Sequence, residues 1–312
     1  MQGLNKNDER RIRGRMGKTL FLRRLHQEDT RELKVGGLIR LCPLKILRPF
    51  FIFAFKVTGL WRRGYREFIN PVVRENTFVI PGLPAELDGF TILHLSDLHL
   101  DLDTRLTPVL ADRIHGLKYD LAVITGDFNN FTIHMDGRAI DEMGKLYPAF
   151  TAPVYGVLGN HDSLRDIPDL ERLGIHMLIN EGVRIPFRGS SLRLAGIDDP
   201  NIFQTHNLDH ALRDIPGAQL TVLLSHSPCI HRAAAEKKVD IVLAGHTHGG
   251  QICLPGGRRL PLRNNRGADY VQKGRWCEGS TQGWTSSGSG SCGVPIRINC
   301  PPEILLHRLV AP

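Results

Sequence analysis

Residues 90–99 read Phe90-Thr91-Ile92-Leu93-His94-Leu95-Ser96-Asp97-Leu98-His99. An apolar run too short for an ordinary helix breaks into Asp-x-His, the pattern of a buried strand that delivers polar side chains at its carboxyl end. The same figure recurs along the chain. The run 121–125 is followed by Gly126-Asp127, and 154–158 by Gly159-Asn160-His161-Asp162. The run 220–225 is followed by His226, and 241–244 by Gly245-His246-Thr247-His248. Strands are therefore expected at 90–96, 121–125, 154–158, 192–197, 220–225 and 241–244, with helices near 108–117, 140–150, 168–173, 208–213 and 229–237. This alternation predicts a layered α/β domain over residues 81–312, its C-terminal part supplying short strands and loops that complete a sandwich.

Five strands in a row end in Asp, Asn or His. Open α/β sheets bind ligands at the carboxyl ends of their strands, so one shared edge brings these side chains together. Asp, His and Asn are oxygen and nitrogen donors suited to divalent ions such as Mn, Fe, Zn, Ni or Co, and no thiolate belongs to the set. Asp97 and His99 are two residues apart and project the same way if strand geometry persists, as do His246 and His248. Gly126, Gly159 and Gly245 allow sharp turns at the strand ends. Asp198-Asp199 reads either as part of the same rim or as a loop with Asx-turn hydrogen bonds. Asn129-Asn130 is a candidate substrate contact, and Arg297 reads as a phosphate contact or an inward ion pair.

The order Asp-x-His, Gly-Asp, Gly-Asn-His-Asp, His, Gly-His-x-His resembles the calcineurin-like metallophosphoesterases, over about residues 88–312. The strings Gly245-His246-Thr247-His248-Gly249-Gly250-Gln251-Ile252 and Gly288-Ser289-Gly290-Ser291-Cys292-Gly293-Val294-Pro295-Ile296-Arg297 bring it closer to the bacterial membrane-associated phosphodiesterases. The resemblance implies a β-sandwich flanked by helices and two divalent metal ions. Asp97, His99 and His248 would hold one ion, and Asn160, His226 and His246 the other, with Asp127 bridging. His161 would act on the phosphate as acid or electrostatic stabiliser, oriented by Asp162. The implied reaction is hydrolysis of a phosphodiester or pyrophosphate by a metal-bound hydroxide. The implied substrates include a lipid precursor such as UDP-diacylglucosamine, manganese being one candidate metal. A nuclease, a cyclic-nucleotide phosphodiesterase and a non-catalytic scaffold on the same fold are the alternatives.

Working outward to the N-terminus, the composition changes. Residues 1–74 carry 18 of the 40 Lys/Arg and six of the 32 Asp/Glu, a balance of +12 that leaves −4 for the rest of the 312 residues. Residues 1–80 read as a basic, amphipathic arm whose first thirty-odd residues are a solvated, partly helical tail. The apolar run Pro49-Phe50-Phe51-Ile52-Phe53-Ala54-Phe55 is broken by flanking cations and falls short of the about 20 apolar residues that span a bilayer. Bulky aromatics beside Lys and Arg suit an interfacial segment on an anionic membrane surface, and packing against the body is the plainer alternative. Nucleic acid is a poor fit, because the body is acidic and the arm lacks interleaved stacking aromatics. Six scattered cysteines with no CxxC pair exclude a disulfide scaffold and a thiolate zinc site. With no leader pattern visible, the expected place is the cytoplasmic face of the membrane. Every motif lies after residue 88, so deleting residues 1–74 is expected to leave turnover of a small soluble diester intact.

Overall fold

The apolar runs form strands because β-branched and aliphatic residues alternate between two packed faces, and each strand stops where its polar terminus begins. A computed structural model describes residues 4–36, 50, 52–130, 137–213, 217–259 and 267–312. Two six-stranded sheets stack face to face. The first runs in the order β1 (Val72–Val79), β14 (Glu303–Val310), β2 (Thr91–Leu95), β3 (Leu121–Ile124), β4 (Val154–Gly156), β5 (Ile175–Met177). Its strands β2 to β5 are parallel, β14 is antiparallel to β2, and β1 is parallel to β14. The second runs β12 (Gly274–Glu278), β13 (Thr281–Thr285), β9 (Ile241–Ala244), β8 (Thr221–Leu224), β7 (Ser190–Gly196), β6 (Glu181–Phe187). Here β13, β9, β8 and β7 are parallel, and β12 and β6 close the edges as hairpins. The expected strands are present, each a residue or two from its predicted ends.

The sheets share an interior built from alternate residues, including Ile92 of β2, Val123 of β3, Leu194 of β7 and Val222 of β8. The other set of side chains, including Leu93, Leu95 and Ile124, points outward under helices α4 (Leu106–Ile114), α5 (Arg138–Leu146) and α6 (Ile167–Arg172). On the far side, Ala195, Leu223 and Val242 pack with Ile230, Ala234 and Trp276, near helix α8 (His231–Glu236). The four layers are the flanked sandwich that the resemblance implied.

A polar chain crosses the interior. Asn76 Nδ2 lies 3.1 Å from His307 Nδ1, His307 Nε2 lies 3.1 Å from His94 Nδ1, and His94 Nε2 lies 2.9 Å from Thr125 Oγ1. Two neutral rings satisfy every contact: Asn76 donates to His307, His307 to His94, and His94 to the threonine. Burial pushes His94 down to about 3 and His307 well below the usual imidazole range.

The N-terminal reading needs correction. Helices α1 (Lys6–Met16) and α2 (Lys18–Gly36) form where the tail was expected to be partly helical, with the Asn5 side chain capping α1 and Gly17 separating the two. One face of each packs on the body. Ile12 and Phe21 are fully buried and Met16 nearly so, joining the cluster under the first sheet, as does Phe68 of helix α3 (Leu60–Phe68). Burying such side chains stabilises by about 1.5–3 kcal/mol each. Arg15 donates to Glu171 and Glu181, so part of the basic surplus is neutralised by the body. Strand β1 also lies inside the stretch read as the arm and pairs along its whole length with β14. Truncation at residue 74 removes three packed helices and cuts into a sheet strand, so activity is not expected to survive it. Of the interfacial segment, residues 37–49 and 51 lie outside the described residues.

The buried imidazole pair makes stability pH-dependent. Both rings are neutral when folded, whereas an unfolded imidazole takes up a proton near 6.5. The unfolded state thus binds more protons below 6.5, and stability present above that pH is lost as pH falls toward 3, by up to about 1.4 kcal/mol per ring per pH unit. Urea unfolding from pH 7.5 to 4.5 is expected to show a smaller acid-side loss in a His94→Leu/His307→Leu variant than in the parent, even where its stability at pH 7.5 is lower. Parallel slopes would show that the pair is not the source.

Candidate metal centre

Each strand terminus turns sharply into the same edge. Asp97, His99, Asp127, His246 and His248 all have positive φ, between 44° and 72°. Strand geometry therefore does not persist through Asp97-Leu98-His99; two left-handed residues aim both polar side chains at the site while Leu98 is buried in the core. Asp and His tolerate this region better than most residues, and such strain persists only where the surroundings over-determine it. Here backbone bonds do so: Asp97 N donates to Gly126 O and His99 N to Asp127 O, both at 3.0 Å. Gly126 turns with φ +87°, as expected, but the other two glycines serve close approach instead. A Cβ on Gly159 would lie 2.1 Å from Asp127 Oδ1, and one on Gly245 would lie 1.8 Å from Ser96 Oγ.

The seven expected ligand residues converge as two groups about one carboxylate. In the first, His99 Nε2 and His248 Nε2 are 3.2 Å apart and His248 Nε2 is 3.3 Å from Asp97 Oδ1. In the second, His226 Nε2 is 3.1 Å from Asn160 Oδ1 and 3.2 Å from His246 Nδ1. Asp127 Oδ2 stands between them, 3.7 Å from His99 Nε2 and 3.3 Å from His226 Nε2. Donor atoms bound at about 2.1 Å to one ion are separated by about 3.0–3.4 Å in octahedral or tetrahedral geometry. The separations within each group are those of coordination edges, and the donor set fits two divalent ions.

The electrostatics agree with cation binding. Asp97 and Asp127 are almost completely buried. Burial raises Asp97 to about 6, against the pull of His226. Burial acts the same way on Asp127, but the neighbouring His226 and His161 outweigh it and hold the carboxyl well below its usual range. Burial depresses His99 to about 3 and His246 to about 4, and carries His248 well down, so these rings are neutral. His226 is held up at about 10 by Asp127 in spite of burial, so an incoming ion must displace its proton. The ring nitrogens facing away are fixed from behind. His99 Nδ1 lies 2.6 Å from Asn129 O, His226 Nδ1 lies 2.8 Å from Thr125 O, and His246 Nε2 lies 2.8 Å from Asn201 Nδ2. Such outer contacts orient ligands.

His161 lies over this group, its ring edge-on to His99 at 5.1 Å between centroids, and its amide donates to Asp127 Oδ1 at 2.8 Å. Its Nδ1 is buried and makes no hydrogen bond among the described residues. The expected orientation of its ring by Asp162 is not what the structure holds. The Asp162 carboxylate accepts from the amides of Asp127, Gly159 and Asn129 at 2.8–3.1 Å, bracing the backbone beneath the ligands. Three backbone amides claim the Asp162 carboxylate.

Other sequence candidates find structural roles. Asp199 accepts from the amides of Asn201, Ile202 and Phe203, the Asx-type turn. Asn129 donates to Asp162 and Asp166, and Asn130 accepts from Gly293 N. Arg297 is fully buried, donates to His248 O and Gly290 O, and touches His248 Nδ1 at 3.3 Å. It is built into the wall behind His248. Two residues went unnoticed. Asn201 gave no signal beyond its proximity to Asp199. Cys292 brings its Sγ to 3.9 Å from His161 Nε2, with donor atoms of His99 and His248 close by, so a thiol does stand at the rim. Its position inside the glycine-serine string after β13 was the available clue.

A sequence profile of the calcineurin-like phosphoesterase family matches residues 90–250. The uncharacterized metallophosphoesterase YkoQ of Bacillus subtilis is 31% identical over 249 residues, 76% of this chain and 90% of that protein. The phosphodiesterase YaeI of Escherichia coli is 30% identical over 238 residues, 71% of this chain and 82% of that protein. An uncharacterized metallophosphoesterase of Helicobacter pylori is 28% identical over 280 residues, 85% of this chain and 72% of that protein.

Asp127 Oδ2 lies close to donors of both groups, so Asp127→Asn is expected to weaken both of two Mn²⁺ binding steps by more than about tenfold, since charge shared by two cations is lost. Calorimetric titration of the metal-stripped chain checks this. Two undisturbed steps would show that Asp127 is not shared.

Proposed function

The chain belongs to the calcineurin-like phosphoesterase family and is a metal-dependent phosphoric ester hydrolase; from this premise we propose that it cleaves a phosphodiester or pyrophosphate bond in a substrate presented at a membrane surface. The observation that carries the hydrolytic assignment is Asp127 set between two donor groups with His161 above it. Asp97, His99 and His248 would hold one ion, and Asn160, His226 and His246 the other, with Asp127 shared. When bound, the pair of divalent ions supplies Lewis-acid polarisation of the phosphoryl oxygens and acidifies a water.

The chain's own residues do the rest. Asp127 stays ionised in a buried setting and so lends its charge to both groups. Against its burial, Asp127 and Cys292 hold His161 up at about 10, which favours the protonated ring. Positioned over the donors, it stabilises charge on a non-bridging phosphoryl oxygen or gives its proton to the leaving alkoxide. Sharing of the Asp127 charge with bound cations makes that proton easier to release. Asp162 keeps Gly159 and Asp127 at the spacing this requires.

The membrane reading rests on the segment before α3. Phe50 and residues 52–57 are helical, and Phe50, Phe53 and Val57 are exposed by 64–69%. Their spacing of three and seven residues places them on one face. Lys56, Arg62 and Arg63 are exposed nearby. An uncovered aromatic face beside cations suits insertion among lipid headgroups. No described helix is long and apolar enough to cross a membrane. A substrate carrying acyl chains, such as a UDP-diacylglucosamine-type precursor, fits an enzyme held there.

Two measurements test the proposal. His161→Ala is expected to retain two bound Mn²⁺ per chain while kcat on a soluble aryl phosphodiester falls about 10²–10⁴-fold, the span of a positioned acid or base; loss of metal would make it a ligand instead. Phe50→Glu/Phe53→Glu is expected to abolish sedimentation with anionic phospholipid vesicles and leave turnover of the soluble diester within about twofold. Unchanged sedimentation of that variant would remove the membrane reading and leave the hydrolytic one standing.

A further inference from the structure

Helix α2, placed in the basic arm by its charge, reaches the metal centre. Arg24 is fully buried. Its Nε donates to Glu28 Oε1 at 2.8 Å and one terminal nitrogen to Asp198 Oδ1 at 3.2 Å. The other terminal nitrogen donates to Asp162 O at 2.7 Å and approaches Gly159 O at 3.4 Å. The guanidinium lies over the Phe203 ring, 3.4 Å from its centroid. Those two carbonyls bracket Asn160-His161, one expected ligand and the expected acid. One turn further along the helix, Glu28 accepts from Ser163 Oγ at 2.6 Å, Leu164 N at 3.0 Å and Arg165 at 3.1 Å.

The loop 159–164 is therefore held from two sides. The Asp162 carboxylate ties it inward to Asp127 N, and Arg24 and Glu28 grip its outer backbone from a helix about 135 residues earlier in the chain. A buried cation balanced by two carboxylates tolerates little displacement, because any shift leaves a charge unpaired. The planar fork of arginine is what lets one side chain meet two carboxylates, two carbonyls and a ring at once; a lysine ammonium cannot reproduce it.

We infer that Arg24, seconded by Glu28, is a positioning residue that sets the Asn160-His161 segment against the metal centre, so that the N-terminal helix is part of the active site's frame. The inference rests on the proposed ligation by Asn160. It accounts for a side chain that packing alone does not require: the cation is spent on the two carbonyls that flank a proposed ligand.

The experiment uses the full-length, metal-stripped chain and Mn²⁺ as probe, read by calorimetric titration and by hydrogen exchange of residues 159–164. Asn160→Ala and His99→Ala serve as references that mark the two binding steps. In Arg24→Lys, the step weakened in Asn160→Ala is expected to weaken by about 10–100-fold, the usual effect of losing a residue that orients a ligand, while the step marked by His99→Ala stays within about threefold. Exchange in 159–164 is expected to accelerate ahead of that in β8 and β9. Equal weakening of both steps, or neither, overturns the inference. If Arg24→Lys does not fold, Glu28→Gln decides: a selective few-fold weakening of the same step is expected, and unchanged titration with unchanged exchange overturns the inference. A parent chain that binds no Mn²⁺ defeats the metal assignment itself, an outcome distinct from any of these.

Discussion

Like atoms crowd together at one edge of this molecule. Imidazole nitrogens lie 3.2 Å apart in two separate pairs, and two carboxylates are buried among them. Bringing such groups together out of water costs several kcal/mol for each buried ion, a cost that bound cations would offset. Much of the local structure follows from that constraint. Five candidate ligand residues adopt left-handed backbone conformations, two glycines stand where a methyl group would collide with a carboxylate or a serine, and the rear ring nitrogens are fixed by carbonyls and by Asn201.

The sandwich supplies the rigidity. Parallel strands in both sheets end at the same edge, and the loops that follow continue the ladder through bonds such as Asp97 N to Gly126 O. Thr125 links the site to the interior: its carbonyl lies against His226 and its hydroxyl ends the chain of buried imidazoles running to Asn76. The N-terminal helices complete the frame from outside, with Ile12, Met16 and Phe21 anchoring them and Arg24 and Glu28 gripping the loop.

The strands and the convergence of the candidate donors were legible because each signal is local: an apolar run, in three cases a glycine, then a donor. The pairing of the two outer helices with the body was not. In 1–36 the spacing of Ile12 and Met16 is a helical contact face, but dense arginines conceal it, and Arg24 looks like any solvated cation until Glu28, Asp198 and Phe203 surround it. Asp162 misled for the opposite reason. It is adjacent in sequence to His161, yet three backbone amides claim its carboxylate. Cys292 lies about 130 residues from His161 and meets it only once β13 and the following turn are in place.

The most direct test of the metal centre is an anomalous-difference map from crystals of the full-length chain grown with Mn²⁺. Two peaks are expected, one among Asp97, His99 and His248 and one among Asn160, His226 and His246, both in contact with Asp127. A single peak, or an ion held through Cys292 with Asp127 left aside, would contradict the account.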